Sequence, residues 1–241
     1  MTMMQSQFLE TMSWQDAAVA LRDFKVLLIP LGAESKQHGP HLPLNNDYLM
    51  AKYLSQIVMK EVSVLVGPTI GLHYYPAFTD YAGSISLSFD TATQIVVEYC
   101  QSLSQFGMSH FYVLNTGVST GRPLIKAQTI LEAKNINLQF TNILTIARDT
   151  ERQLESQAGG THADELETSM MLYLDADIVN MALAVEDFHP GTGKFSPTRQ
   201  ANTIYSPSGI YGNPTLATKE KGKLIVDAMC TAIVKEIQQM G

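Results

Sequence analysis

The stretch that decides the fold runs from Lys25 to Asp47 and reads KVLLIPLGAESKQHGPHLPLNND. Its first part, Lys25–Leu31, is an almost uninterrupted apolar run and predicts a buried strand. The second part follows at once with a glycine, two histidines, two prolines and an aspartate. A strand that ends in such a loop is how an open α/β sheet presents a site at its carboxyl edge.

The residue types in this loop suit a metal ion. His38 and His41 offer imidazole nitrogen, and Glu34 and Asp47 offer carboxylate oxygen, a mixture that binds zinc, manganese or iron. The two prolines would hold these donors in place before an ion arrives. Two plainer interpretations stay open. The loop can be a Pro-rich surface loop with incidental histidines, and Asp47 can be the N-cap of a helix beginning at Tyr48.

Strands and helices alternate along the rest of the chain. This order predicts an α/β fold, a three-layer α/β/α arrangement with a mainly parallel sheet, built as a single domain over residues 1–241. Asp187–Pro214 is rich in Gly, Pro and Ser and predicts a long loop. The predicted strands are Val26–Leu31, Val62–Val66, Phe111–Asn115 and Leu138–Ile146, and the predicted helices are Tyr48–Lys60, Thr91–Phe106, Pro123–Ala133, Glu165–Leu174 and Leu216–Gln239.

Composition limits the partners and the compartment. A net charge of −7 argues against a nucleic-acid partner. No run of eighteen apolar residues is present, so we expect no membrane span. The N-terminal segment lacks the apolar core of a secretory signal. The two cysteines, Cys100 and Cys230, lie in apolar helical contexts and are expected to be reduced, as in a cytoplasmic protein.

Several segments, in order along nearly the whole chain, resemble the creatininase (creatinine amidohydrolase) family. The first is Gly32–Asp47 with its Gln37-His38-Gly39-Pro40-His41 core. The others are Gly83-Ser84-Ile85-Ser86-Leu87, His162 followed by Glu167-Thr168-Ser169, and Ala217-Thr218-Lys219-Glu220-Lys221-Gly222. The resemblance implies a creatininase-like fold and a homo-oligomer, for which a hexamer is the common family assembly.

The resemblance also implies roles for individual residues. His38 would be a metal ligand, Asp47 would bridge two metals, and Glu167 would sit at or near the metal. His162 would be catalytic and carry a proton to the leaving nitrogen, with Glu167 as its partner in the chemistry. His41 would orient the loop or a ligand through a hydrogen bond. One or two divalent ions per chain are expected.

The chain departs from the family pattern at two places. The family has glutamate two residues before the histidine, where this chain has Lys36. The loop is also one residue longer than in the family, and Glu34 remains a candidate ligand if this extra residue bulges out. After the strand Phe111–Asn115, Gly117 and Ser119 stand where family members have histidine and glutamate. Either one metal is absent, or His162, Asp164 or Glu165 substitutes.

These departures leave some residues with open roles. Lys36, Ser119 and Thr120 are candidates for supporting the metal site or binding substrate. The exposed N–H groups of the loop 117–121 could hold an anionic substrate group, and a plain turn is the alternative.

Two functions of different class follow. The first is a metal-dependent amidohydrolase that acts on a small amide, cyclic or not, or on a formamide through a metal-activated water. The second is a family member that has lost catalysis and binds a small ligand or a partner protein. The missing histidine at Gly117 favours the second function. The presence of His38, Asp47, His162 and Glu167 together favours the first.

Overall fold

The computed structural model describes residues 5–240. The start of the N-terminal segment, for which no secretory signal is expected, lies outside these residues. Within them no helix is both long and apolar enough to cross a membrane.

Seven strands and seven α-helices make up the described chain, with short 3-10 turns between them. The strands are β1 (Gln7–Phe8), β2 (Leu27–Leu31), β3 (Leu65–Val66), β4 (His110–Asn115), β5 (Asn137–Phe140), β6 (Lys194–Ser196) and β7 (Thr203–Tyr205). The helices are α1 (Trp14–Asp23), α2 (Asn46–Glu61), α3 (Phe89–Ser104), α4 (Gly121–Glu132), α5 (Arg148–Leu154), α6 (Glu165–Leu174) and α7 (Lys219–Gln238).

The first five strands form one parallel sheet in the order β1-β3-β2-β4-β5. The chain leaves β2 through α2 to reach β3 on one side, and later returns through α3 to β4 on the other side. The register of β2 and β4 pairs Leu27 with Phe111 and Leu31 with Asn115. A change of direction between neighbouring parallel strands opens a crevice at their carboxyl ends, where ligands bind in such folds.

Side chains of β2 alternate between two apolar cores, which confirms the predicted three-layer arrangement. Leu28 packs with α2, α6 and α7 on one face of the sheet. Leu27, Ile29 and Leu31 pack with α1, α3 and α4 on the other face. Successive residues of a strand point to opposite faces, so a strand that is apolar throughout must be covered on both sides.

Several predicted bounds were wrong. The strand predicted over Leu138–Ile146 stops at Phe140, because the Asn142 side chain accepts the Leu144 N–H and turns the chain away. The predicted loop Asp187–Pro214 contains a small parallel pair, β6 and β7. The last helix begins at Lys219, after a 3-10 turn.

Helix α2 settles one of the plainer interpretations. It begins at Asn46 with Asn45 as its N-cap, and no side chain caps it. Asp47 is therefore in the first turn, and its carboxylate is free to face the loop that precedes the helix. A carboxylate at this end of a helix is favoured by the helix dipole.

Candidate metal centre

The loop after β2 and the start of α6 bring a buried polar cluster together at the carboxyl edge of the sheet. Lys36, His38 and Asp47 come from the loop and from α2, His162 precedes α6, and Glu167 lies in its first turn. Four of these five residues are classed as buried, and the Glu167 side chain is 16% exposed. Buried ionisable groups in such number require one another as partners.

His38 is the centre of the cluster. Its Nδ1 lies 2.8 Å from the carbonyl oxygen of Lys36, which can only accept a hydrogen bond, so Nδ1 carries the proton. Nε2 then faces the cluster, 2.8 Å from Asp47 Oδ1 and 3.5 Å from Glu167 Oε1. A histidine tied through its outer nitrogen to a backbone carbonyl is the usual arrangement of a metal ligand.

Asp47 lies between the imidazole of His38 and the ammonium of Lys36. Lys36 Nζ is 2.6 Å from Asp47 Oδ2. The two groups form an ion pair, but their angles are not those of a hydrogen bond. Burial alone would raise the pKa of Asp47, but the charges of Lys36 and His38 outweigh it and lower the pKa. Asp47 is therefore a carboxylate in this cluster, and Lys36 points into it.

His162 is neutral and has partners for either tautomer. Its Nε2 lies 2.9 Å from the carbonyl oxygen of Gln37 and 3.0 Å from the side-chain nitrogen of the same residue. Nδ1 faces Glu167 Oε2 at 3.8 Å. Burial, and then the charge of Lys36, holds the pKa of His162 well below its usual value. When Nε2–H donates to the Gln37 carbonyl, the lone pair of Nδ1 can take up a proton and release it again.

Glu167 is oriented by two donors. The N–H of Ala163 donates to Oε2 at 2.6 Å, and Asn46 Nδ2 donates to Oε1 at 3.0 Å. Ala163 has a φ of 49°, in the left-handed region that costs a residue other than glycine energy. This strained backbone aims its N–H at Glu167. Burial raises the pKa of Glu167, against the opposing charge of His38.

Asp164 caps α6, as its position predicts. Its Oδ1 accepts the N–H groups of Leu166 and Glu167, both at 3.0 Å. The Glu167 side chain reaches back to the N–H of Ala163, one residue before the cap, where a regular capping box would use the cap itself. The capping and site roles of this segment therefore coexist.

His41 connects the loop to α6. Its Nε2 lies 2.9 Å from Thr168 Oγ1, and its carbonyl accepts the N–H of Asn180. Burial, and then the nearby His38, lowers the pKa of His41 to about 4. The contact joins the loop after β2 to α6.

The structure does not bring three of the candidate residues to the cluster. Glu34 is exposed and its carboxylate lies over Gly71, because the longer loop puts Lys36 two residues before His38. Ser119 Oγ donates to the carbonyl of Tyr74 at 2.9 Å. Thr120 Oγ1 is bonded to Asn115 and to the Gly117 carbonyl. The expectation that Glu34 is a ligand is thus not supported by its position.

The donor atoms present fit a single divalent ion. Ligand atoms of His38, His162 and Glu167 all lie within 4.8 Å of one another. Asp47 Oδ1 adds a carboxylate oxygen on the same side of His38. Mixed imidazole and carboxylate donors of this kind are typical of zinc, manganese and iron sites in enzymes.

Aromatic rings cover the cluster. The ring centre of Phe78 is 4.1 Å from that of His162, and Phe195 stacks on Phe78 at 5.0 Å. Phe195 belongs to β6, in the segment predicted to be a loop. Two surface cavities, of about 630 and 620 Å³, lie elsewhere and include no residue of the cluster. The cluster is nearly closed, since four of its five residues are buried.

Some residues that support the site could not be predicted from their type. Asn46 and Gln37 are ordinary polar residues beside predicted ligands, so adjacency was their one signal. Ala163 acts through its backbone N–H, and the Phe78 cover depends on tertiary packing. Nothing in residue type marks either of them.

Comparisons with known proteins identify relatives of this chain. The profile of the creatininase family, described as creatinine amidohydrolase, matches residues 10–237. The mycofactocin precursor peptide peptidase of Mycobacterium tuberculosis (strain CDC 1551 / Oshkosh) is 26% identical over 88% of this chain and 84% of its own length.

Solved structures share the fold. A structure described as creatininase Mn has a TM-score of 0.80 at 23% identity and covers 97% of this chain and 98% of its own. A creatininase mutant of the Zn-Zn type also has a TM-score of 0.80, at 22% identity, and covers 98% of each chain. Because the family profile spans nearly the whole chain, this protein belongs to the creatininase (creatinine amidohydrolase) family.

Proposed function

We propose that the protein is a metal-dependent amidohydrolase that cleaves the C–N bond of a small amide, cyclic or not, or of a formamide. One observation carries the proposal: His38 presents Nε2 to two carboxylates while its other nitrogen is fixed to a backbone carbonyl. This arrangement prepares a ligand before an ion arrives and has little purpose in an apolar core.

In this proposal His38, Asp47 and Glu167 hold a divalent ion, which when bound would activate a water molecule and polarise the amide carbonyl. Zinc, manganese and iron fit the donors. Glu34, expected from the sequence to be a fourth ligand, is left out of this proposal because Lys36 points into the cluster instead. Asn46 and the Ala163 N–H keep Glu167 aimed at the site.

His162 is the proposed proton carrier. Its Nδ1 faces the cluster, and Nε2 can donate to the carbonyl of Gln37 or accept from its side-chain amide. With Nε2–H donating to the Gln37 carbonyl throughout, Nδ1 can take up a proton from the attacking water and then release it to the leaving nitrogen. Phe78 and Phe195 exclude water around it, and they must move to admit a substrate.

The named relatives support the substrate class and leave the substrate open. One is described as a peptide peptidase and the others as creatininases, which differ in substrate size while sharing an amide-type C–N bond. The Lys36–Asp47 ion pair favours the alternative function, a non-catalytic member that binds a small ligand or partner protein, because it neutralises Asp47 without a metal.

Three wider expectations accompany the proposal. We expect the chain to form one domain over residues 1–241, to work in the cytoplasm, and to assemble as a homo-oligomer, with a hexamer as the family's common form. We expect neither a nucleic-acid nor a membrane partner. A sedimentation measurement that finds a 26.6 kDa monomer would contradict the expected assembly.

The test uses protein purified without added metal or chelator. Elemental analysis should find zinc, manganese or iron, and the loaded protein should hydrolyse members of a panel of cyclic amides, formamides and short peptides. Asp47→Ala should lose both metal and activity while staying folded. If the parent takes up no transition metal and turns over nothing in the panel, the non-catalytic alternative is correct.

A second pair of variants separates the role of His162 from that of His38. His162→Ala should keep its metal and lose turnover, whereas His38→Ala should lose the metal. Loss of metal in both variants would show that His162 is a ligand and that another group moves the proton.

A further inference from the structure

The two carboxylate oxygens of Asp47 face different partners. Oδ1 lies 2.8 Å from His38 Nε2, on the side where the donor atoms gather. Oδ2 lies 2.6 Å from Lys36 Nζ, and no hydrogen bond is aligned with it. The carboxylate thus has positions for positive charge at both oxygens, and the ammonium already occupies one of them.

Lys36 is built into this position. Its side chain is 8% exposed, and Nζ lies 5.1 Å from the ring centre of Phe78 and 6.0 Å from that of Tyr75. Aromatic faces attract a cation that has lost its water. The backbone is held as well, since the Lys36 N–H donates to the carbonyl of Leu44. The ammonium is therefore held inside the centre by the packing around it.

The strand end beside the cluster supplies no donor for an ion at Oδ2. Gly117 has no side chain, and the hydroxyls of Ser119 and Thr120 are bonded to groups within their own surroundings. Among the residues that the structure describes, the one group of donors close enough for an ion is that of His38, His162 and Glu167. Its member His38 places Nε2 beside Asp47 Oδ1 and not beside Oδ2.

We propose that the ammonium of Lys36 takes the place of one of two metal ions, so that this chain holds one divalent ion, on the Oδ1 side of Asp47. The inference rests on the proposed function, since it assumes that the donors around His38 bind metal. A relative of the Zn-Zn type shows that the fold accommodates a zinc pair. Here a second ion at Oδ2 would have to displace the Lys36 ammonium, which lies 2.6 Å from that oxygen.

The first test counts ions on the full-length protein. The protein is incubated with excess zinc, passed through a desalting column, and analysed for zinc and protein by mass spectrometry. One zinc per chain is the expected result. Two per chain would overturn this inference and leave the proposed metal-dependent function standing. None would overturn both.

The second test removes the charge and keeps the length of the side chain. Lys36→Met preserves the apolar stem against Phe78 and leaves Asp47 without its cation. Zinc should therefore raise the Tm of Lys36→Met by more than it raises that of the parent, because the ion no longer meets a like charge and now neutralises Asp47.

The matched control is Lys221→Met. Lys221 pairs with buried Glu165, outside the donor group, so its loss should lower the Tm and leave the zinc-dependent rise at the parent value. Equal rises in the parent, Lys36→Met and Lys221→Met would overturn the inference. If Lys36→Met does not fold without zinc, the ion count on the parent still decides.

Discussion

Gly32 lies at the carboxyl end of β2, and its replacement by alanine tests whether the packing there positions the metal centre. A Cβ at Gly32 would lie 2.1 Å from the carbonyl oxygen of Asp47 and 2.9 Å from Thr116 Oγ1. Ordinary contacts begin at 3.4 Å, so the start of α2 would have to move by more than about 1 Å. Gly32 is not among the glycines with positive φ, so the whole effect comes from this contact.

The expected loss of stability follows from overpacking. Forcing a methyl group into a packed site costs about 1–3 kcal/mol. For a chain of this size each kcal/mol lowers the Tm by roughly 2–4 °C, so Gly32→Ala should unfold about 2–12 °C below the parent. Because the displaced residue is Asp47 itself, turnover should also fall by roughly 100-fold, the usual effect of a 1 Å misplacement at a reacting site.

Thermal unfolding followed by circular dichroism gives the Tm, and a zinc titration gives the affinity. Gly121→Ala is the matched control, since nothing lies within 4 Å of its added Cβ. The control should keep the parent Tm or exceed it slightly. A Gly32→Ala protein with the parent's Tm and zinc affinity would refute the claim that this contact positions Asp47.

Three further predictions concern groups in and around the two cores. Burial lowers the pKa of His73 to about 4, so its unfolded form binds the proton between about pH 6.5 and 4, and stability is lost as the pH falls through that window. Between pH 7 and pH 5 the parent should therefore lose about 2 kcal/mol more free energy of unfolding than His73→Gln, and equal losses in urea would contradict this. Burial raises the pKa of Cys100 and Cys230 to about 12, so neither thiol should react with a thiol reagent until the protein unfolds. Asp164→Ala removes the cap of α6 and should lower the free energy of unfolding, measured in denaturant, by about 1 kcal/mol. Asp164→Asn should lower it by much less, because asparagine also caps helices, and equal losses in the two variants would argue against the cap.

The sheet could be predicted because its signals are local. Lys25–Leu31 is apolar without alternation, which requires cover on both faces, and the helices that provide the cover have a clear apolar period. The helix caps follow from equally local signals: the Ser13 side chain accepts the Asp16 N–H at the start of α1, as Asp164 does for α6. These features depend on a few neighbouring residues.

The elements that were missed depend on distant contacts. Strands β6 and β7 are three residues each and exist because they pair with one another and because Phe195 packs on Phe78. Helix α5 has no buried residue and so no apolar stripe to mark it. Composition therefore indicated a loop over Asp187–Pro214, and no element was predicted at α5.

The candidate site divides in the same way. His38 and Asp47 could be singled out by residue type and spacing, and His162 and Glu167 by resemblance to the family. The direction of Lys36 could not be predicted, because the sequence does not say whether the residue two positions before His38 points into the cluster or away from it. The position of Glu34 over Gly71 has the same cause.

The most direct test of the metal centre is a crystal structure of zinc-loaded protein, with anomalous diffraction recorded on both sides of the zinc absorption edge. We expect one anomalous peak per chain, within coordination distance of His38 Nε2, Asp47 Oδ1 and Glu167, with Lys36 still on Oδ2. A peak elsewhere, or none at this cluster from protein that binds zinc in solution, would contradict the proposed centre.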